Sequence, residues 1–276
     1  MESAATMPPI SNARMYAVTP AVEAAWSALL DHIAAEAGVA LAYTPYPAPQ
    51  PLDVLWRRPD LGCVFMCGFP IALRLAEVVP HASPIPAADW AGGRALYRSD
   101  FIVRADSGFR TLADTFGGTV GWTVEHSHSG FNAPRHHLSE LRRADGRPLY
   151  RRSVGSLVTA RGVLDAVVDG QIDVGPLDSY WHLLLRRHAP QLLAGVRTVA
   201  STDLAPLPAL VASPGTPERS IAALKGALAN AASRPWFAVL GEALCITGFE
   251  TVTYDSFATT VRWAAEAEAA GYGTPA

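Results

Sequence analysis

Short apolar stretches of strand type alternate with longer segments of helical spacing along nearly the whole chain, and this alternation most narrows what it can fold into. Residues 13–19 read as a strand. Pro20 suits the first turn of a helix in which Val22, Trp26, Leu29, Leu30 and Ile33 share one face before Gly38. Residues 39–43 read as a second strand. Pro45, Pro47, Pro49 and Pro51 then disfavour both regular structures and predict a stiff connection. A short helix near 52–57 leads to 61–67, an unbroken apolar run that fits a strand buried on both faces. Further strands are expected at 95–104, 119–123, 172–177, 196–202 and 207–212. Helical segments fall at 111–116, 131–143, 158–168, 179–188, 217–232, 235–244 and 255–270. Such alternation predicts an α/β protein with mainly parallel sheets flanked by helices, which binds ligands beyond the carboxyl ends of its strands.

Composition removes several classes. Half of the 276 residues are hydrophobic and 17% are charged, so the chain can bury a large core and disorder is not expected. This length suits one large domain or two lobes. The apolar runs break well short of a membrane span. A net charge of −3 without a basic tract argues against nucleic-acid binding. Cys63, Cys67 and Cys245 form neither a disulfide framework nor a zinc ribbon. His126, His128, His136 and His137 cluster, but no carboxylate or cysteine accompanies them at ligand spacing, and no metal is expected. No nucleotide-loop or nucleophile-elbow motif is present, so no cofactor is expected. Residues 1–14 lack a charged segment followed by an apolar one, so no secretory signal is read there.

The chemistry concentrates at three strand ends. After the strand at 119–123 come Ser127, His128, Ser129 and Gly130, at or just before a helix N-terminus. Free backbone N–H groups and the helix dipole favour an anion there, two hydroxyls add neutral donors, and Gly130 admits a ligand close to the backbone. Ordinary N-capping by either serine is the competing explanation. Asp178 ends a second strand and either caps the next helix or accepts a hydrogen bond from a ligand. Cys67 and Gly68 end a third. Tyr16, Tyr46 and Tyr97 lie near strand ends, where an apolar ring with one polar tip suits a small pocket.

With these pieces in order, the chain resembles the phosphate- and phosphonate-type substrate-binding proteins of ABC transporters, which have the type 2 periplasmic binding protein fold. The resemblance rests on the segment from Pro59-Asp-Leu to Cys67-Gly-Phe-Pro70, on Tyr97 to Asp106, on Leu112-Ala-Asp114, on Glu125-His-Ser-His-Ser-Gly-Phe-Asn132, on Gly170-Gln-Ile-Asp-Val174 with Asp178, and on Thr247-Gly-Phe-Glu250. It implies two lobes, 13–97 plus 204–276 and 98–203, joined by two hinge strands that close on a ligand. It implies ligand contacts from Ser127, His128, Ser129, Gly130 and Asp178 in one lobe and from Tyr16, Tyr46, Cys67 and Gly68 in the other. Where aminophosphonate binders carry a His and a Glu, this chain has Ala160 and Arg161, and Arg161 would favour an anionic ligand. The implied partners are a small anionic solute and a permease, with the protein periplasmic and monomeric. The alternative is an enzyme or cytoplasmic sensor on the same fold, with His128 as the acid–base group.

Overall fold

The apolar run after Asp60 becomes the middle of the larger sheet. The computed structural model describes residues 7–142 and 146–276; the last residue of the helix expected at 131–143 and residues 1–6 lie outside the described residues. In chain order the strands are β1 (Ile10–Asn12), β2 (Ala42–Tyr43), β3 (Leu61–Met66), β4 (Val79–Pro86), β5 (Leu96–Tyr97), β6 (Ser99–Arg104), β7 (Thr119–Gly121), β8 (Arg152–Val154), β9 (Gly175–Asp178), β10 (Val196–Ser201), β11 (Ala205–Pro206), β12 (Ala209–Ala212) and β13 (Ile246–Thr251). The helices are α1 (Pro20–Ala37), α2 (Leu52–Trp56), α3 (Gly68–Ala72), α4 (Ala133–Glu140), α5 (Ala160–Val168), α6 (Ser179–His188), α7 (Glu218–Asn230), α8 (Phe237–Ala243) and α9 (Ala258–Ala269). Every residue of β3 is buried, as a strand covered on both faces requires. Part of that cover is α1, whose Trp26 meets Phe65 of β3 edge-on at 4.9 Å.

Six strands form one sheet in the order β13-β4-β12-β3-β1-β2, and three form a second in the order β10-β6-β9. The second continues through a parallel bridge between Val120 and Val174 to the parallel pair β7 and β8. Between the sheets β5 and β11 pair antiparallel, with Tyr97 opposite Ala205. The chain therefore leaves the larger sheet through β5 into β6 and returns from β10 through β11, which makes the two-lobed α/β architecture.

Strand directions are more mixed than alternation alone predicts. β1 pairs parallel with β2 and β3, yet β12 runs antiparallel to both β3 and β4, and β13 antiparallel to β4. The cause is the excursion: β12 enters the first sheet only after the chain has visited the second, and it arrives from the opposite end. The first expected strand is displaced as well. Residues 10–12 are the strand, while Asn12 Oδ1 accepts the Arg14 N–H at 2.9 Å and turns Arg14–Tyr16 into a 3-10 helix. The expected strand 95–104 is two strands, because the Arg98 N–H leaves the ladder for Ser179 Oγ at 3.0 Å. β4 carries Pro80, Pro84 and Pro86, residues that argue against an interior strand, yet it lies between β13 and β12.

The last helix ties the two lobes together again. α9 packs on α3 beside the larger sheet and on α4 beside the smaller. Trp263 of α9 stacks between His128 at 5.4 Å and His136 at 4.9 Å. Asn132 Nδ2 donates to Thr260 O at 2.7 Å, and His136 Nε2 lies 2.8 Å from Glu266 Oε2. Among the described residues, no helix is long and apolar enough to cross a membrane.

Candidate functional site

Three segments of the second lobe and the strand-end loops of the first meet around a cavity of about 470 Å³. The first segment follows β7. Ser127 begins a π-helical turn, His128–Asn132, that runs directly into α4, and its Oγ accepts the Gly130 N–H at 3.0 Å. The Ser129 N–H is used by none of the described hydrogen bonds, whereas its carbonyl is held by Ser99 Oγ at 2.8 Å. Gly130 is a steric requirement. A Cβ there would stand 2.0 Å from Oγ1 of Thr123, a cavity-lining residue whose hydroxyl is buried with no hydrogen-bond partner.

The second segment is the N-terminus of α5. Thr159 caps it by accepting the Gly162 N–H at 3.0 Å, which leaves the Ala160 and Arg161 N–H groups without intrahelical acceptors. Val158, Thr159, Ala160 and Arg161 all line the cavity. Val158 has φ of +65°, the left-handed region that a β-branched residue rarely adopts. Arg161 Nε is engaged by Asp165, at 2.8 and 2.9 Å from its two oxygens, so part of its charge is already answered.

The third segment is the end of β9. Asp178 Oδ1 accepts the N–H groups of Tyr180 and Trp181 at 2.9 and 3.0 Å, and Oδ2 accepts the Tyr16 hydroxyl at 3.1 Å across the lobes. The N-cap and the wall of the cavity are thus one residue, and the two sequence interpretations of Asp178 coexist. Burial pushes its carboxyl up to about 7 against the pull of those three hydrogen bonds, and the Asp100 carboxylate adds a smaller push upward.

The first lobe contributes Cys67, Tyr46 and Arg14. Cys67 Sγ accepts the His128 N–H at 3.3 Å, and burial raises its thiol. The Arg14 guanidinium stands 5.4 Å over the Tyr46 ring and also donates to Gln50 O.

Of the residues expected from the sequence, Ser127, Ser129, Gly130, Asp178, Tyr46, Cys67 and Arg161 line the cavity, whereas His128, Tyr16 and Gly68 do not. The His128 ring points into the α4–α9 contact, where Asn132 Nδ2 lies 3.1 Å from its Nδ1, and burial drives its imidazole down to about 3. Its ring does not line the cavity, so it is not placed to act as an acid–base group on a ligand there. Tyr16 is fully buried and acts on the cavity through Asp178. Gly68 opens α3, and a Cβ there would fall 2.4 Å from a ring carbon of Phe257, whose side chain is completely buried. Gly68→Ala is therefore expected to lower the unfolding free energy by about 1–3 kcal/mol, measured by urea titration, and an unchanged midpoint would refute this packing role. Arg14, Thr123, Thr159 and Trp181 line the cavity without having been anticipated. Thr159 carried a signal, since a threonine immediately before a helix is a cap; the others carried none. Among the described residues, no cluster of His, Cys, Asp and Glu could hold a metal ion.

Solved structures share this fold. The binding-protein component of an ABC phosphonate transporter from Pseudomonas aeruginosa is 16% identical, with a TM-score of 0.78 over 96% of this chain and 88% of that one. PhnD1 from Prochlorococcus marinus, solved with methylphosphonate, is 14% identical with a TM-score of 0.75 over 94% and 97% of the two chains. A Xanthomonas citri protein bound to ATP is 20% identical with a TM-score of 0.64 over 95% and 98%. At these identities the likeness shows the fold. No curated protein matches the chain in sequence. Residues 17–257 match the family model described as "ABC transporter, phosphonate, periplasmic substrate-binding protein", and the chain belongs to that family.

Proposed function

We propose that the protein captures a phosphorus oxyanion of the phosphonate class in this cavity, in the periplasm and as a monomer, and presents it to the permease of an ABC transporter. The observation that carries this reading is the convergence of two capped helix N-termini on one cavity: the Ser127–Gly130 turn leading into α4, and the Thr159-capped start of α5. Backbone N–H groups and the positive ends of helix dipoles favour an anion without a fixed ion pair. The hydroxyls of Ser127, Ser129 and Thr123 add neutral donors, and Arg161 adds a charge at the rim. The lobes would be 13–97 with 204–276 and 98–203, turning about β5 and β11. Closure would exclude water and strengthen each of these hydrogen bonds. The family is one of transport substrate-binding proteins rather than enzymes.

Isothermal titration with phosphate, phosphite, sulfate, methylphosphonate and 2-aminoethylphosphonate tests the reading. At least one phosphorus oxyanion is expected to bind, and Ser129→Ala is expected to weaken it tenfold or more. No binding by any phosphorus compound would overturn the assignment, and unchanged affinity in Ser129→Ala would remove that turn from the site.

A further inference from the structure

The two walls of the cavity are chemically unlike. The wall from the second lobe carries the donors: Thr123, Ser127, Ser129, Thr159 and the start of α5. The wall from the first lobe holds the polar side chains of Arg14, Glu23, Tyr46 and Cys67, and beside them an apolar face of Met15, Val18, Pro45, Pro47, Leu52 and Trp56. Trp56 has no polar atom to spare, because its indole N–H donates to Phe65 O at 2.9 Å. Pro45 and Pro47 have no N–H to offer, and the prolines that follow at 49 and 51 keep this segment stiff. This face of the wall is therefore stiff and without free donors of its own, which suits contact with a hydrocarbon surface.

Size points the same way. A cavity of about 470 Å³ falls in the range of pockets that take ligands of many heavy atoms, well beyond what an anion of five heavy atoms fills. A larger ligand that also covers the apolar face gains by burying apolar surface.

We infer that the preferred ligand is a phosphonate or phosphate monoester carrying an apolar body of about ring size, its head on the second lobe and its body against Met15, Pro45, Pro47, Leu52 and Trp56. The inference rests on the phosphorus-oxyanion reading above and adds the class of substituent. It assigns to the proline-rich connection the role of a fixed side of the pocket.

Calorimetric titration of the full chain with methylphosphonate and phenylphosphonate tests it, with benzoate as the apolar anion that lacks phosphorus. Phenylphosphonate is expected to bind at least tenfold more tightly than methylphosphonate. Leu52→Asn and, independently, Met15→Asn are expected to shrink that ratio threefold or more, with circular dichroism confirming that each variant is folded. Methylphosphonate binding as tightly as phenylphosphonate, or a ratio untouched in both folded variants, would overturn the inference and leave the phosphorus-oxyanion reading standing. Benzoate binding in the absence of either phosphonate would overturn that earlier reading, and this inference with it.

Discussion

Raising the pH through about 7 should weaken phosphonate binding by about tenfold per pH unit in the wild-type protein relative to Asp178→Asn. The cause is the single buried carboxyl on the cavity wall, which burial holds at about 7. Below that pH Asp178 is protonated and can donate to an oxyanion. Above it the same atoms carry a negative charge against the ligand, and binding must take up a proton. Asparagine keeps the size and removes the titration, so the ratio of the two proteins' affinities cancels the ligand's own ionisation. Titrations from about pH 5 to about pH 9 would show a ratio that is level at first and then falls; a ratio flat throughout would refute the role of Asp178 in ligand charge selection. Stability carries the same sign. An unfolded aspartate titrates near 3.9, so the folded state holds the extra proton between that value and about 7. This contribution is fully present below about pH 4 and is lost as pH rises through about 7. Its upper bound is about 4 kcal/mol. Without ligand, the denaturation midpoint of Asp178→Asn should accordingly fall less than that of the wild type over this window.

Gly130→Ala should be the most damaging small substitution in the site, with affinity reduced a hundredfold or more. The new methyl group would meet Thr123 Oγ1 at 2.0 Å, Thr123 Cγ2 at 2.8 Å and Ser127 Oγ at 2.9 Å. None of these atoms ends a long flexible chain, and the backbone is tethered at the same place, since the Thr123 N–H donates to Gly130 O at 3.1 Å. Relief must come from moving the Ser127–Gly130 turn away from the tail of β7. That displaces the Ser129 N–H and both serine hydroxyls together and costs about 1–3 kcal/mol of stability. Adding Thr123→Ala removes two of the three close atoms, so the double variant should regain stability, while its affinity stays below wild type because one donor is gone. Wild-type affinity in Gly130→Ala would show that the turn does not hold the ligand.

The legible parts of the molecule were those encoded by neighbours in sequence. The Ser127–Gly130 turn shows itself because small hydroxyl residues and a glycine follow a strand and precede a helix. Asp178 shows itself because α6 begins immediately after it. The illegible parts depend on residues far apart. β4 is hidden by three prolines, although its place between β12 and β13 is set by strands more than a hundred residues later. Thr123 looks like an ordinary strand residue until the facing turn is in place, and Tyr16, expected to touch the ligand, is instead buried against Asp178. His128 sits inside the most ligand-like motif, yet its ring is claimed by Trp263, far along the chain. Cavity size has no local signature, for it is set by how the two lobes meet.

The position of α9 bears on how quickly a solute can come and go. Two strands alone would leave the lobes free to swing about a single axis. A helix seated on both α3 and α4 makes every swing part it from one neighbour or the other. The contacts at stake, Trp263 between two histidines and Glu266 beside His136, all lie outside the cavity. Under the proposed swing of the lobes these contacts would have to part before a solute could leave, while the groups that touch the solute lie on the cavity walls. Substitutions in the α9 contacts would then change the hold on every solute alike, whereas substitutions in the walls would change it for some solutes and not others.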